Sequence, residues 1–203
     1  MSKEDINIHG GIRTMAPAVR ISNLAQRCVT VPDGCFVECG VWRGGCLAVM
    51  ASIANTDGLN RAVYGFDSFE GLPPQTPEDS EDGQEFVGMC RATEAEVHET
   101  FTTWGVSLEN TVLKKGWFNE TIPEASKDMP SIAVLRLDGD WYESTLTCLE
   151  YLYPKIVPGG VIIVDDYLTW TGCKKAVDEY RALHKIDNIL IETDPLGEVW
   201  WTK

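Results

Sequence analysis

The chain has 203 residues, 44% of them hydrophobic, and a formal net charge of −14. That length suits one domain, residues 1–203, with enough apolar surface for a sizeable core. The acidic balance excludes the basic footprint of a nucleic-acid binder and attraction to an anionic membrane. No apolar run approaches the roughly 20 residues of a membrane span. The opening MSKEDINIHGGIRTMAP lacks the apolar centre of a signal peptide. Seven cysteines cannot all pair internally, and no C-x-x-C pair marks zinc. Reduced thiols in a cytoplasmic compartment are expected.

In chain order, residues 1–30 read as a helical lead-in or lid. CFVECGV, Cys35–Cys39, is a strand stopped by a glycine turn, and CLAVMASIAN is helical. AVYGFD, Ala62–Asp67, is a second strand. Within an acidic loop over residues 70–90, Glu70–Phe86 is rich in proline and acid, and a loop of that length in a compact domain is usually a lid or disordered. TEAEVHETFTTWG is a helix opened by a Thr93–Glu96 capping box and closed at Gly105. TVLKKGW and IAVLRLD are strands, STLTCLEYLYPKI a helix, GGVIIVDD a strand and GCKKAVDEYRALH a helix. NILIET and VWWTK close as an antiparallel pair. Strands alternating with helices predict an α/β, doubly wound, mostly parallel sheet. The antiparallel C-terminal strand is a feature of the class I methyltransferase fold, a Rossmann-like arrangement.

Ligands in such sheets bind beyond the carboxyl ends of the strands, at the first turn. Here that turn carries Gly40, Gly44 and Gly45, but neither G-x-G-x-x-G nor a P-loop lysine. Glu38 inside the strand suits the amino group of S-adenosylmethionine (SAM), or is a buried paired acid. Asp67 ends the second strand, where a carboxylate accepts ribose hydroxyls or caps a turn. Asp138 and Asp140 follow VLRL, and Asp165 and Asp166 follow VIIV. Three carboxylates at two strand ends repel unless a cation joins them, and an all-oxygen set suits Mg²⁺ over zinc. Asp140 is the candidate general base, with a helix N-cap as the alternative role. His98 is the alternative base. Trp117, Trp141 and Trp170 fall beside this region.

RTMAP, FVECGVWRGG, FDSFEGLP, KGWFNETIP, LRLDGDWYEST and PGGVIIVDDY resemble, in order, the motifs of the macrocin O-methyltransferase (TylF-type) family. The resemblance implies SAM- and Mg²⁺-dependent methylation of a sugar hydroxyl, such as one of a rhamnose-type deoxyhexose. It implies that Glu38, Gly40, Val41, Trp42, Gly44 and Gly45 shape the methionine end of the cofactor site. Asp67, Ser68 and Phe69 would follow the ribose and adenosine, and Gly116, Trp117 and Phe118 would flank the adenine. Thr14 and Met15 would close over the cofactor. Asp138, Asp165 and Asp166 would ligate the metal, Asp138 also bordering the cofactor, with Asp140 as base. Cys46 stands where the family usually carries a small or hydroxyl residue, and the segment before Arg13 is short for the family. The expected acceptor is a small-molecule or glycan sugar. A homodimer and a place within a larger glycan-assembly protein fit this reading. Rival readings are a catechol or small-phenol O-methyltransferase and a catalytically silent SAM-binding module.

Overall fold

The computed structural model describes residues 6–8 and 12–203. A hairpin of β1 (Ile6–Ile8) and β2 (Ile12–Thr14) precedes α1 (Ala18–Thr30). There follow β3 (Cys35–Cys39), α2 (Gly45–Ala54), β4 (Val63–Asp67), α3 (Glu94–Trp104), β5 (Thr111–Lys115) and α4 (Phe118–Asp128). The chain closes with β6 (Ile132–Leu137), α5 (Tyr142–Leu152), β7 (Ile156–Val164), α6 (Thr171–Leu183), β8 (Ile191–Glu192) and β9 (Val199–Thr202). The main sheet runs β5-β4-β3-β6-β7-β9-β8. Strands β3 to β7 are parallel, β9 is antiparallel to β7, and β8 is antiparallel to β9.

Both faces of the sheet are covered, and strand periodicity decides which residue faces which helices. Phe36, Val134 and Ile163 turn toward Leu24 of α1, Leu47 and Met50 of α2, and Val97 and Phe101 of α3. Their neighbours Val37, Leu135 and Ile162 turn toward Ile122 of α4, Leu149 and Leu152 of α5, and Val177 and Tyr180 of α6. Half of the expected capping box is present: the Thr93 hydroxyl accepts from the Glu96 amide, while the Glu96 carboxylate accepts from the Thr93 hydroxyl and not from its amide; Gly105 closes α3 in the left-handed conformation.

The expectations differ from the structure at three places. The lead-in is a hairpin and then a helix; its residues 1–5 and 9–11 lie outside the described ones. Helix α4 does not show in the periodicity, because Pro123 interrupts a mostly polar stretch. It is nonetheless the crossover that parallel β5 and β6 require. The last predicted pair is shorter at NILIET, where only Ile191 and Glu192 join the sheet.

Helix α1 buries Arg20, Leu24 and Cys28, one side chain every fourth residue. It is tied to the β8–β9 corner. Arg20 Nε donates to Asp194 Oδ2 at 2.6 Å, and Asn23 Nδ2 donates to Glu198 Oε1 at 2.9 Å. Glu198 is fully buried and its Oε2 has no hydrogen-bond partner. Burial pushes its pKa up to about 7 from 4.5. The folded chain therefore binds this proton more tightly than the unfolded chain. The stability it contributes is full below about pH 4.5 and is lost as pH rises to about 7. Glu198→Gln should match the parent in urea unfolding near pH 4.5 and exceed it above pH 7 by on the order of 2 kcal/mol. Parallel stability curves for the two chains across that range would overturn this.

Candidate active site

The parallel ladder brings the strand ends level. Cys39 pairs with Leu137, and Leu137 with Val164. The ladder continues one step further, with the Asp138 amide donating to Cys39 O and the Asp165 amide to Leu137 O. Chain order reverses between β3 and β6, and a crevice opens there. It holds a cavity of about 610 Å³. Gly40 forms its floor at φ 96°, where a Cβ would lie 1.9 Å from Asp138 O, so only glycine fits. Met15 and Thr14 close one side, and Trp117 and Phe118 another.

Glu38 and Arg136 are register partners, and both are buried. Arg136 Nη1 donates to Glu38 Oε1 at 3.0 Å and to Asp138 Oδ2 at 2.9 Å. Glu38 Oε2 has no hydrogen-bond partner. Burial pushes the Glu38 pKa up to about 8, against the pull of Arg136. A buried acid with one open oxygen on a cavity wall fits the amino group of a bound amino-acid moiety.

Asp67 lines the same cavity and organises two turns. Its Oδ2 accepts from the Val41 and Trp42 amides, both at 2.8 Å, and its Oδ1 from the Phe69 amide at 2.7 Å. Trp42 and Phe69 both hold positive φ, 48° and 58°. The three bonds hold these unfavourable conformations, and burial still leaves the Asp67 pKa above its ordinary value. Val41 and Ser68 line the cavity, as do Trp42 and Gly45. Gly44, Phe69 and Gly116 are not on its wall. Gly44 instead opens α2 in the left-handed conformation.

One carboxylate of Asp138, Asp140 and Asp166 each offers an oxygen, and these oxygens lie within 4.8 Å of one another. Asp138 and Asp166 thus come together as expected. Asp165 does not join them. Its Oδ2 accepts from Arg20 Nη1 at 2.6 Å and its Oδ1 from Arg136 Nη2 at 2.5 Å. Successive residues at a strand end point to opposite sides, which sends Asp165 to the arginines and Asp166 to the group. Asp140 takes the third place through a backbone turned to φ 58°.

Asp140 is not the cap of α5. Trp141 holds the N-cap position without a side-chain bond, and the Tyr142 amide donates to Asp79 Oδ1 at 2.8 Å. Asp140 Oδ1 instead accepts from Trp170 Nε1 at 2.8 Å. His98 is exposed on α3 and does not line the cavity. Sequence reasoning missed Arg20, Arg136, Asp79 and the role of Trp170. Arg136 carried a visible signal, a charge in the buried run VLRL. Arg20 and Asp79 carried none, and Trp170 only its place near the aspartates, since each acts through a contact distant in sequence.

The macrocin O-methyltransferase (TylF) profile matches residues 11–203. The chain belongs to this family. It is 41% identical to a demethyldecarbamoylnovobiocin O-methyltransferase of Streptomyces niveus, over 92% of this chain and 74% of that one. It is 36% identical to the 8-demethyl-8-(2,3-dimethoxy-alpha-L-rhamnosyl)-tetracenomycin-C 4'-O-methyltransferase of Streptomyces olivaceus, again over 92% and 74%. The solved structure of the O-methyltransferase NovP superposes with a TM-score of 0.82 at 38% identity, over 94% of this chain and 81% of that one. The chain is an O-methyltransferase with the class I SAM methyltransferase fold. Among the described residues no helix is long and apolar enough to cross a membrane.

Because Asp165 compensates two buried guanidiniums, Asp165→Ala should destabilise the fold by about 3–5 kcal/mol. Urea unfolding measures this. A loss below 1 kcal/mol would mean that the arginines find other partners.

Proposed function

We propose that the chain transfers the methyl group of SAM to a sugar hydroxyl of a glycosylated small molecule, of the rhamnose-type deoxyhexose class, with a divalent cation beside the reacting oxygen. The observation that carries this reading is the convergence of Asp138, Asp140 and Asp166 at the wall of the cavity. The relative from Streptomyces olivaceus, whose name specifies a rhamnosyl substrate, supports the sugar.

The donor set fits an oxygen-preferring cation. It is all carboxylate, with no histidine or cysteine, as Mg²⁺ favours. Asp138 and Asp166 would hold the ion, and such sites commonly use only one or two carboxylates with water and substrate. When bound, SAM supplies an electrophilic methyl group, and the cation supplies Lewis acidity to the acceptor hydroxyl. Glu38 holds the amino end of the cofactor through its open oxygen. Asp67 sets the turns that receive the ribose, and Trp117 and Phe118 form the apolar wall for the adenine. Asp140 takes the proton from the sugar hydroxyl, which is too weak an acid to lose it unaided.

With methyl α-L-rhamnoside as acceptor, turnover should cease in excess EDTA and return on adding Mg²⁺. Undiminished turnover in EDTA would remove the metal from the reading. Asp140→Asn keeps the side-chain shape but accepts no proton. It should lower kcat by roughly 10²-fold or more and leave calorimetric SAM affinity within twofold. A variant as fast as the parent would place the base elsewhere.

A further inference from the structure

The acidic loop after β4 is docked on the turn that carries Asp140. Trp141 Nε1 donates to Pro73 O at 2.9 Å, and the Tyr142 amide donates to Asp79 Oδ1 at 2.8 Å. Both gripped residues directly follow Asp140. The other oxygen of Asp79 accepts from the amide and the hydroxyl of Thr76, at 2.9 and 3.0 Å. The loop is therefore braced on itself as well as on α5. Two glycines make room for it. A Cβ on Gly172 would lie 1.9 Å from Asp79 Oδ1, and one on Gly83 would lie 2.6 Å from the Trp141 ring.

A second path reaches Asp140 from the far end of the same loop. Phe86 packs edge-on against Trp170 with ring centroids 5.2 Å apart. Trp170 packs edge-on against Trp141 at 5.1 Å and donates its indole N–H to Asp140 Oδ1. Asp140 itself holds φ 58°, a conformation uncommon outside glycine, although aspartate tolerates it better than most residues. The loop meanwhile supplies Gly71, Leu72 and Pro73 to the cavity wall.

We propose that Asp79 and Trp170 are positioning residues, which hold the Asp140 turn in its reactive geometry and make the acidic loop and the proton acceptor one mechanical unit. The proposal rests on the reading of Asp140 as proton acceptor. Neither residue lines the cavity: Asp79 acts through the Tyr142 amide, and Trp170 through the Asp140 carboxylate. A cover that is also a clamp ties closure over the acceptor to readiness of the base, as when closing loops complete a catalytic set.

The test uses the full chain with Asp79→Ala, Asp79→Asn and Trp170→Phe. Amide hydrogen exchange is followed across residues 139–144, kcat and KM are measured with SAM and methyl α-L-rhamnoside, and SAM affinity is measured by calorimetry. Asp79→Ala should speed exchange at Trp141 and Tyr142 at least tenfold. It and Trp170→Phe should each lower kcat at least tenfold, with both KM values within threefold and SAM affinity within twofold. Asp79→Asn retains an acceptor oxygen for the Tyr142 amide and should recover most of the lost kcat. Exchange and kcat within twofold of the parent in Asp79→Ala and Trp170→Phe would overturn the proposal. So would a kcat loss matched by an equal loss of SAM affinity and not relieved by Asp79→Asn, which is what general loosening produces. If the parent itself leaves the rhamnoside unmethylated, the acceptor assignment fails separately. Unchanged exchange in Asp79→Ala still overturns the clamp in that case.

Discussion

The structure depends on charge compensation at the carboxyl ends of β3, β6 and β7. A guanidinium buried mid-strand costs several kcal/mol unless it is paired, and Arg136 is almost fully buried. Its partners are Glu38, Asp138 and Asp165, one from each of three adjacent strand ends. Arg20 adds a second cation from α1 and bridges Asp165 to Asp194. Two cations thus hold four carboxylates. Asp140 and Asp166 add two further acids on the cavity wall. The divalent cation proposed there would meet carboxylates that the strand ends already gather. The same ladder explains why α1 is part of the fold: without it Asp165 and Asp194 would lose the guanidinium that joins them.

Backbone geometry does comparable work on the other side of the cavity. Trp42, Phe69 and Asp140 all adopt positive φ beside the site. Asp67 holds the first two through main-chain amides. Its carboxylate was expected to serve a ligand or cap a turn, and in the structure it organises the turns through three amides. An ionised carboxylate has about four acceptor positions. Three of these are occupied by backbone, so ligand recognition at Asp67 falls to what remains of its oxygens.

The sheet was legible because its signals are local. Five apolar runs, each followed by glycine or acid, mark the parallel strands, and Thr93 with Glu96 marks one helix start to the residue. The cavity-wall residues Glu38, Gly40 and Asp67 were legible for the same reason, since strand ends in this architecture face one crevice, whereas Trp117 and Phe118 as flanks of the adenine came only from the family resemblance. Helix α4 was not, because Pro123 and a polar composition hide an amphipathic stripe that buries only Ile122 and Ser126. The division of labour between Asp165 and Asp166 was hidden as well. Adjacent in sequence, they point to opposite sides of the strand end, and which side carries Arg20 is set by α1, 145 positions away. Only the packed fold decides which of two neighbouring acids becomes structural.

The cysteines set how this protein can be handled at the bench. None of the seven forms a disulfide, and six of them are buried. Burial raises the thiol pKa at Cys28, Cys35, Cys39, Cys46 and Cys173, which suppresses the reactive thiolate. Cys90 alone is partly exposed, and it stands on the cavity wall four residues past the end of the Glu81–Phe86 turn. A maleimide fluorophore or spin label added to the native chain should therefore concentrate at Cys90, on the cavity wall. The unmutated protein carries its own attachment point for watching the acidic loop in solution.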